Sequence, residues 1–313
     1  MKPKYNAMNP MLSEILEIPQ KALQLLTKPV AEMPLHVKYL GMGSSYFAPL
    51  AFKYMGFPVE PEMASEYYHY LSGAQKQPLA VILSQSGKSS EALWCSRLFE
   101  RYIAITNYAE NALAQAENVE RVAEIGAGPE QYSSSKTYIN TLLVLFRGLG
   151  LDPSAAVQVL AAKMAHYQQQ GKSMADEIHD KLTSGHIHGI YITGSGPNIA
   201  TAFQAALILS ESTKLNFNGL PMAQYDHGPK ETAKDSIVIQ IMAKGNAYER
   251  TAKLSETIRR AGAFVLTVEE AETEENFSVL HNIVPFNFVA YYLAEKLGVG
   301  ETFTVGGKVT EVQ

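Results

Sequence analysis

Leu79-Ala80-Val81-Ile82-Leu83-Ser84-Gln85-Ser86-Gly87-Lys88-Ser89-Ser90-Glu91-Ala92 begins as an unbroken apolar run and turns into small hydroxyl residues around one glycine. A short run apolar on every position reads as a strand buried on both faces, the kind found in parallel sheets. Ser84 to Ser90 then reads as a strand-to-helix loop, and a helix is predicted over Ser90 to Arg101. The same strand–loop–helix rhythm extends in both directions. Strands are predicted at Val37–Leu40, Tyr102–Thr106 and Arg121–Ile125, with a short edge strand within Phe57–Ala64, where Pro58 and Pro61 limit pairing. Helices are predicted at Tyr46–Met55, Asn111–Glu117 and Lys136–Leu149. Alternation of this kind makes βαβ units and a parallel sheet.

The rhythm restarts after a polar helical stretch, Ala155–Leu182. Strands are predicted at Gly189–Thr193, Ser236–Met242 and Phe264–Val268, and helices at Asn198–Lys214, Tyr248–Ala261 and Asn287–Leu297. The two halves also match each other. Leu40 to Met55 pairs with Thr193 to Ile208, each a strand ending in a Gly-x-Gly turn. Val81 to Ala92 pairs with Ile239 to Arg250, aligned on Gly87 and Gly245. Ser84 and Ser86 correspond to Met242 and Lys244, so only the first half keeps the hydroxyl-rich loop. The chain is therefore read as α/β, with a leading helix broken at Pro19 (1–30), a first half (31–165), a second half (166–300) and a tail (301–313).

Composition sets the outer limits. The 313 residues are 46% hydrophobic and 18% charged, with a formal net charge of -5, so the chain can bury large cores and is a poor candidate for nucleic-acid binding. The single cysteine, Cys95, excludes an intrachain disulfide. The eight histidines form no ligand-spaced cluster with carboxylates, so neither a metal nor another cofactor is expected. The start, MKPKYNAMNP, lacks the apolar core of a signal peptide, and Leu142–Phe146 is too short to span a bilayer. A cytoplasmic protein without membrane partners is the expectation.

Several residues could carry chemistry. Four serines within Ser84–Ser90, at a helix start, suit a phosphate; the same serines could equally serve as helix caps. Gly41-Met42-Gly43-Ser44-Ser45 lies at the neighbouring strand end, where open sheets bind ligands, and by itself reads as close helix–strand packing. Ser133-Ser134-Ser135-Lys136 reads alone as an N-cap. Glu211 shares a helix face with Gln204 and Ile208; apolar surroundings would raise its pKa and suit a general base, whereas alone it reads as a helix-end surface carboxylate. His227, in the expected loop Tyr225-Asp226-His227-Gly228-Pro229, could move protons near neutral pH. Lys308 becomes functional only if the tail folds back into a cleft.

Taken together, these segments resemble the sugar isomerase (SIS) family, and within it the isomerase half of glucosamine-6-phosphate synthase and its stand-alone relatives. Met11-x-x-Glu14-Ile15, Gly43-Ser44-Ser45, Ser84-Gln85-Ser86-Gly87, Ser134, Glu211, His227-Gly228-Pro229 and Lys308 stand in the family's order. The resemblance implies two flavodoxin-like domains and a homodimer with shared active sites. It implies that Ser84, Gln85, Ser86 and Ser89 hold a sugar phosphate, with Gly43, Ser44 and Ser134 beside the phosphate or sugar. By the same resemblance Glu211 is the base between C1 and C2, His227 opens the ring from the neighbouring subunit, and Lys308 stands near the reacting end. The implied activity is aldose–ketose isomerisation of a hexose- or hexosamine-6-phosphate, with or without amine release. The alternatives are an amine–sugar-phosphate deglycase and a non-catalytic phosphosugar sensor. Two departures stand out: Gln204 and Ile208 replace a charged pair, and the tail lacks the relatives' arginine. The sequence carries no glutaminase segment, so ammonia is not expected to come from glutamine.

Overall fold

The structure, a computed structural model, describes residues 9–309; the Met1–Met8 part of the N-terminal expectation and Thr310 to Gln313 of the tail lie outside them. Two parallel sheets are formed. The first contains β1 (Lys38–Gly41), β2 (Glu60–Met63), β3 (Gln77–Leu83), β4 (Phe99–Thr106) and β5 (Val119–Glu124), in the order β2-β1-β3-β4-β5. The second contains β6 (Gly189–Gly194), β7 (Phe217–Pro221), β8 (Ser236–Met242) and β9 (Phe264–Glu269), in the order β7-β6-β8-β9. Each β1–β3 and β6–β8 neighbour pair runs parallel, Leu40 facing Ile82 and Ile192 facing Ile239. The central strands are buried along their apolar runs, and helices cover the sheets.

One 31-residue helix, Ser154–Ser184, carries the chain from the first sheet to the second, so the division expected near 165 falls inside a continuous helix. A single apolar cluster runs through both halves, joining Phe146 and Met164 to Ile239 and Phe288. Phe146 stacks on Phe277 at 5.0 Å between ring centroids, and Phe47 meets Phe203 at 5.6 Å. Aromatic pairs of this kind contribute beyond their buried area, and here they join the two halves.

The matched glycines hold matched places. A Cβ on Gly41 would lie 2.6 Å from the main chain of Ser45, and one on Gly194 would lie 2.1 Å from the carbonyl oxygen of Asn198. In both halves the helix starts so close to the strand end that no side chain fits between them. The leading helix is two, Pro10–Leu16 and Ile18–Leu26, with Pro19 in the first turn of the second, where its missing N–H costs nothing.

Four local expectations are corrected. The helix starting at Ser90 stops at Ser96, because β4 begins already at Phe99. Asn111–Glu117 is a series of turns: the Asn111 amide donates to Tyr108 O at 2.6 Å and accepts from Ala114 N at 2.9 Å, competing with helical bonds. β7 was not expected, since Asn218, Gly219 and Pro221 are poor strand formers; it survives as an edge strand paired only to β6. Tyr225 and Asp226 close a short helix, Met222–Asp226, instead of lying in a loop. Among the described residues, no helix is long and apolar enough to cross a membrane.

Candidate functional site

The carboxyl ends of β1 and β3 are neighbours, so the two loops quoted above face each other across the point where chain order reverses. Between them lies a cavity of about 200 Å³, lined among others by Gly43, Ser44, Ser84, Gln85, Ser86 and Ser89. Ser134, Glu211 and Lys308 line the same cavity. The structure therefore brings together all of the residues expected to bind the sugar phosphate or carry the chemistry except His227.

The Ser84 loop is held from within. Gly87 N donates to Ser84 Oγ at 3.1 Å, and Lys88 N donates to Ser86 Oγ at 3.2 Å. Gly87 has φ +66°, and a Cβ there would fall 1.9 Å from the Asn111 side chain. Three helices begin at the cavity: Ser44–Tyr54, Ser90–Ser96 and Lys136–Gly148, the last two preceded by Ser89 and Ser135, whose hydroxyls make no capping bond to the helix. Helix N-termini present free N–H groups and positive potential, so three of them around a bowl of hydroxyls make a receptacle for an anion.

The tail folds back into this bowl. Lys308 Nζ donates to Glu130 O at 2.9 Å and to Tyr132 O, and lies 3.7 Å from the Glu130 carboxylate. Phe303 and Val309 complete that wall. The strand-to-helix segment receiving Lys308 is itself clamped. Glu14 accepts from Gln131 N at 2.6 Å and Tyr132 N at 3.1 Å, and buried Glu130 accepts from Ser135 N and Ser135 Oγ at 3.0 and 2.9 Å and from Thr137. A second lysine, Lys214, donates to Glu211 O at 2.7 Å and to Thr302 O, tying the tail to the end of the Asn198–Thr213 helix.

Glu211 sits on the last turn of that helix and faces the cavity, so it is not merely a surface carboxylate. Burial pushes its carboxyl above the ordinary 4.5, outweighing the hydrogen bond from Ser133 and the charges of Lys308 and Lys214. Gln204 and Ile208 are fully buried below it; Gln204 Nε2 donates to Ser134 O at 3.3 Å, joining the two halves by a neutral contact where a charge would have been desolvated.

His227 is exposed, follows the Met222–Asp226 helix and does not line this cavity. Glu130, Lys214 and Glu91 were missed by the sequence reading. Glu130 and Lys214 lie beside singled-out residues and carry no spacing that marks them; Glu91 follows the serine loop directly and lines the cavity. Among the described residues, no three His, Cys, Asp or Glu side chains converge as a metal site would.

No family model matches the chain. It is 24% identical over 326 residues to glutamine–fructose-6-phosphate aminotransferase (isomerizing) of Methanothermobacter thermautotrophicus, an alignment covering 92% of this chain and 55% of that protein. The enzyme of that name from Escherichia coli is likewise 24% identical, covering 83% of this chain and 48% of its own. The chain thus spans about half the length of the curated relatives it matches. Among solved structures, the C-terminal domain of glucosamine-fructose-6-phosphate aminotransferase from Francisella tularensis superposes with a TM-score of 0.79 at 18% identity, covering 94% of this chain and 98% of that one. Glucosamine-6-phosphate deaminase from Thermotoga maritima gives 0.78 at 18%, covering 94% and 96%. The resemblance to sugar isomerases read from the motifs is borne out by these similarities, and the parallel α/β fold is theirs.

Proposed function

We propose that the chain is a phosphosugar isomerase acting on a hexose- or hexosamine-6-phosphate. The observation that carries this reading is a single cavity in which a hydroxyl bowl with three helix starts faces a carboxylate and a lysine. In this reading Ser84, Gln85, Ser86 and Ser89 bind the phosphate, with Gly43, Ser44 and Ser134 beside it. Glu211 takes the proton from one of the two carbons of the open-chain sugar and returns it to the other. A carboxyl with a raised pKa suits that task, since general bases work best near the operating pH. Lys308 offers positive charge to the oxygen that becomes anionic in the enediol intermediate.

Each sheet with its helices is read as one flavodoxin-like unit of a tandem pair, of which only the first keeps the serines. His227 lies outside the cavity of its own chain, so a ring-opening role requires a second copy to carry it across; a homodimer with shared sites is part of the proposal, as is a cytoplasmic setting. The buried neutral pair Gln204 and Ile208 offers no charge to a reacting nitrogen, which favours simple isomerisation over amine transfer.

A second reading has one observation in its favour. An open crevice of about 560 Å³ adjoins the cavity and shares Gln85, Ser86, Lys308 and Val309 with it. It would admit an amine substituent, as cleavage of an amine–sugar-phosphate adduct requires. Incubation with fructose-6-phosphate, glucosamine-6-phosphate and an amine adduct of fructose-6-phosphate, followed by NMR, separates the readings. Exchange of the C1 or C2 hydrogen, or a ketose–aldose pair, supports isomerisation; free amine supports the second reading. No reaction and no binding across the panel would overturn both.

A further inference from the structure

We propose that Glu91 contacts the substrate and accepts a hydrogen bond from a donor on its sugar portion, a hydroxyl or an ammonium group. The inference rests on the phosphosugar reading and adds a specificity residue to it. Glu91 is the second residue of the Ser90–Ser96 helix, directly after the serine loop. It is only 8% exposed, and it lines the same cavity as Ser44, Ser86 and Glu211. Among the described residues, its Oε2 is buried without a hydrogen-bond partner.

A buried carboxylate oxygen without a donor is costly, so its place here needs a reason. The helix start favours a carboxylate in the first turn, but that favour acts equally on an exposed side chain and explains neither the burial nor the orphaned oxygen. The phosphate group of a sugar ester is not the missing partner: at neutral pH it carries mostly acceptor oxygens, and its negative charge is disfavoured beside a carboxylate. What fits an acceptor at the edge of an anion bowl is a ligand carrying both an anion and a donor. A sugar phosphate has that character with its donors set apart from the charge, whereas the only O–H groups of inorganic phosphate sit on the anion itself. Glu91 would thus favour the sugar ester over bare phosphate.

The test is a calorimetric titration of the full chain with inorganic phosphate, fructose-6-phosphate and glucosamine-6-phosphate, on wild type, Glu91→Gln and Glu91→Asp. The glutamine keeps the shape and removes the charge; the aspartate keeps the charge and withdraws it by one carbon. For Glu91→Gln we expect phosphate to bind as well as before or better, and the sugar esters about tenfold more weakly. For Glu91→Asp we expect the sugar esters to weaken with phosphate unchanged, so the proposal remains testable if either variant fails to fold. A larger loss for glucosamine-6-phosphate identifies an ammonium donor, and equal losses a hydroxyl. Wild-type affinity for the esters in the variants, or a parallel loss of phosphate, would overturn the role of Glu91. Failure of the wild type to bind either ester would instead overturn the phosphosugar reading, before any variant is compared.

Discussion

Lys308 Nζ donates to the main-chain oxygen of Glu130 at 2.9 Å and lies 3.7 Å from the carboxylate of the same residue. One contact thereby fixes the tail, closes one wall of the cavity and places a cation where Glu130 has already organised the start of the Lys136–Gly148 helix.

If that cation serves the reacting end of a sugar, Lys308→Ala should lower kcat/KM by about 10²-fold, the usual cost of losing a charge-stabilising donor. The melting temperature should fall only modestly, because buried Glu130 keeps its bonds from Ser135 and Thr137 when the lysine is lost. Steady-state kinetics beside a thermal scan checks this; unchanged kinetics would remove Lys308 from the site.

Glu211→Gln should depress turnover by about 10²–10⁴-fold while sugar-phosphate affinity stays within a few-fold of wild type. The sign of the stability effect follows from the raised pKa. Below 4.5 the carboxyl is protonated in both folded and unfolded chains. Stability falls as pH rises from 4.5 through the folded value, and above that value the folded chain holds a desolvated charge at its full cost. The variant should therefore be at least as stable as wild type at neutral pH, with the gap closing on acidification. The acid limb of the wild-type kcat/KM profile should lie above the ordinary carboxylate range. A variant clearly less stable at neutral pH would contradict this account.

Gly87→Ala should destabilise by about 2–4 kcal/mol, combining a left-handed backbone with a clash in a packed site. The Asn111 amide that it would strike also donates to Thr106 Oγ1 at 2.7 Å and cannot easily withdraw. Adding Asn111→Gly should recover part of the loss. Denaturant unfolding of the three variants measures the coupling, and strict additivity would show that the two residues do not meet as described.

Acid should unfold the chain through a buried cluster remote from the cavity. Glu270 accepts from Tyr167 Oη at 2.6 Å and pairs with Lys163 at 2.7 Å, while His281 Nδ1 lies 2.9 Å from the same Tyr167 oxygen. Burial alone would raise the Glu270 carboxyl, but the bonds from Lys163 and Tyr167 outweigh it and hold it at about 2. Burial holds His281 at about 4. In each case the unfolded chain takes up protons first, so stability falls from 6.5 towards 4 through His281 and from 4.5 towards 2 through Glu270. Glu270→Gln should flatten the lower window in denaturant midpoints measured against pH, at the cost of lower stability at neutral pH. An unaltered pH dependence in that variant would remove Glu270 from the account.

The elements legible in the sequence were those with a period or a punctuation mark of their own. The apolar runs of β3 and β8, the Gly-x-Gly turns at Gly41 and Gly194, and the proline break at Pro19 each state a local preference that packing did not overrule. Phe217–Pro221 was not legible, because as an edge strand it owes its existence to β6 and not to its own residues. Asn111 was misleading for the opposite reason: its side chain competes with the helix that its neighbours would allow.

Residue order alone determined the parallel α/β architecture, the doubled pattern and the serine loop, because strand burial and turn chemistry are written within a few positions of one another. Whether those serines meet Glu211, whether the tail lysine returns, and that Glu91 lies buried beside them were decided only by the tertiary structure. These residues stand far apart along the chain or have no pattern to announce them. Their meeting depends on how two sheets pack through one apolar core, a property of the whole chain that no local segment encodes.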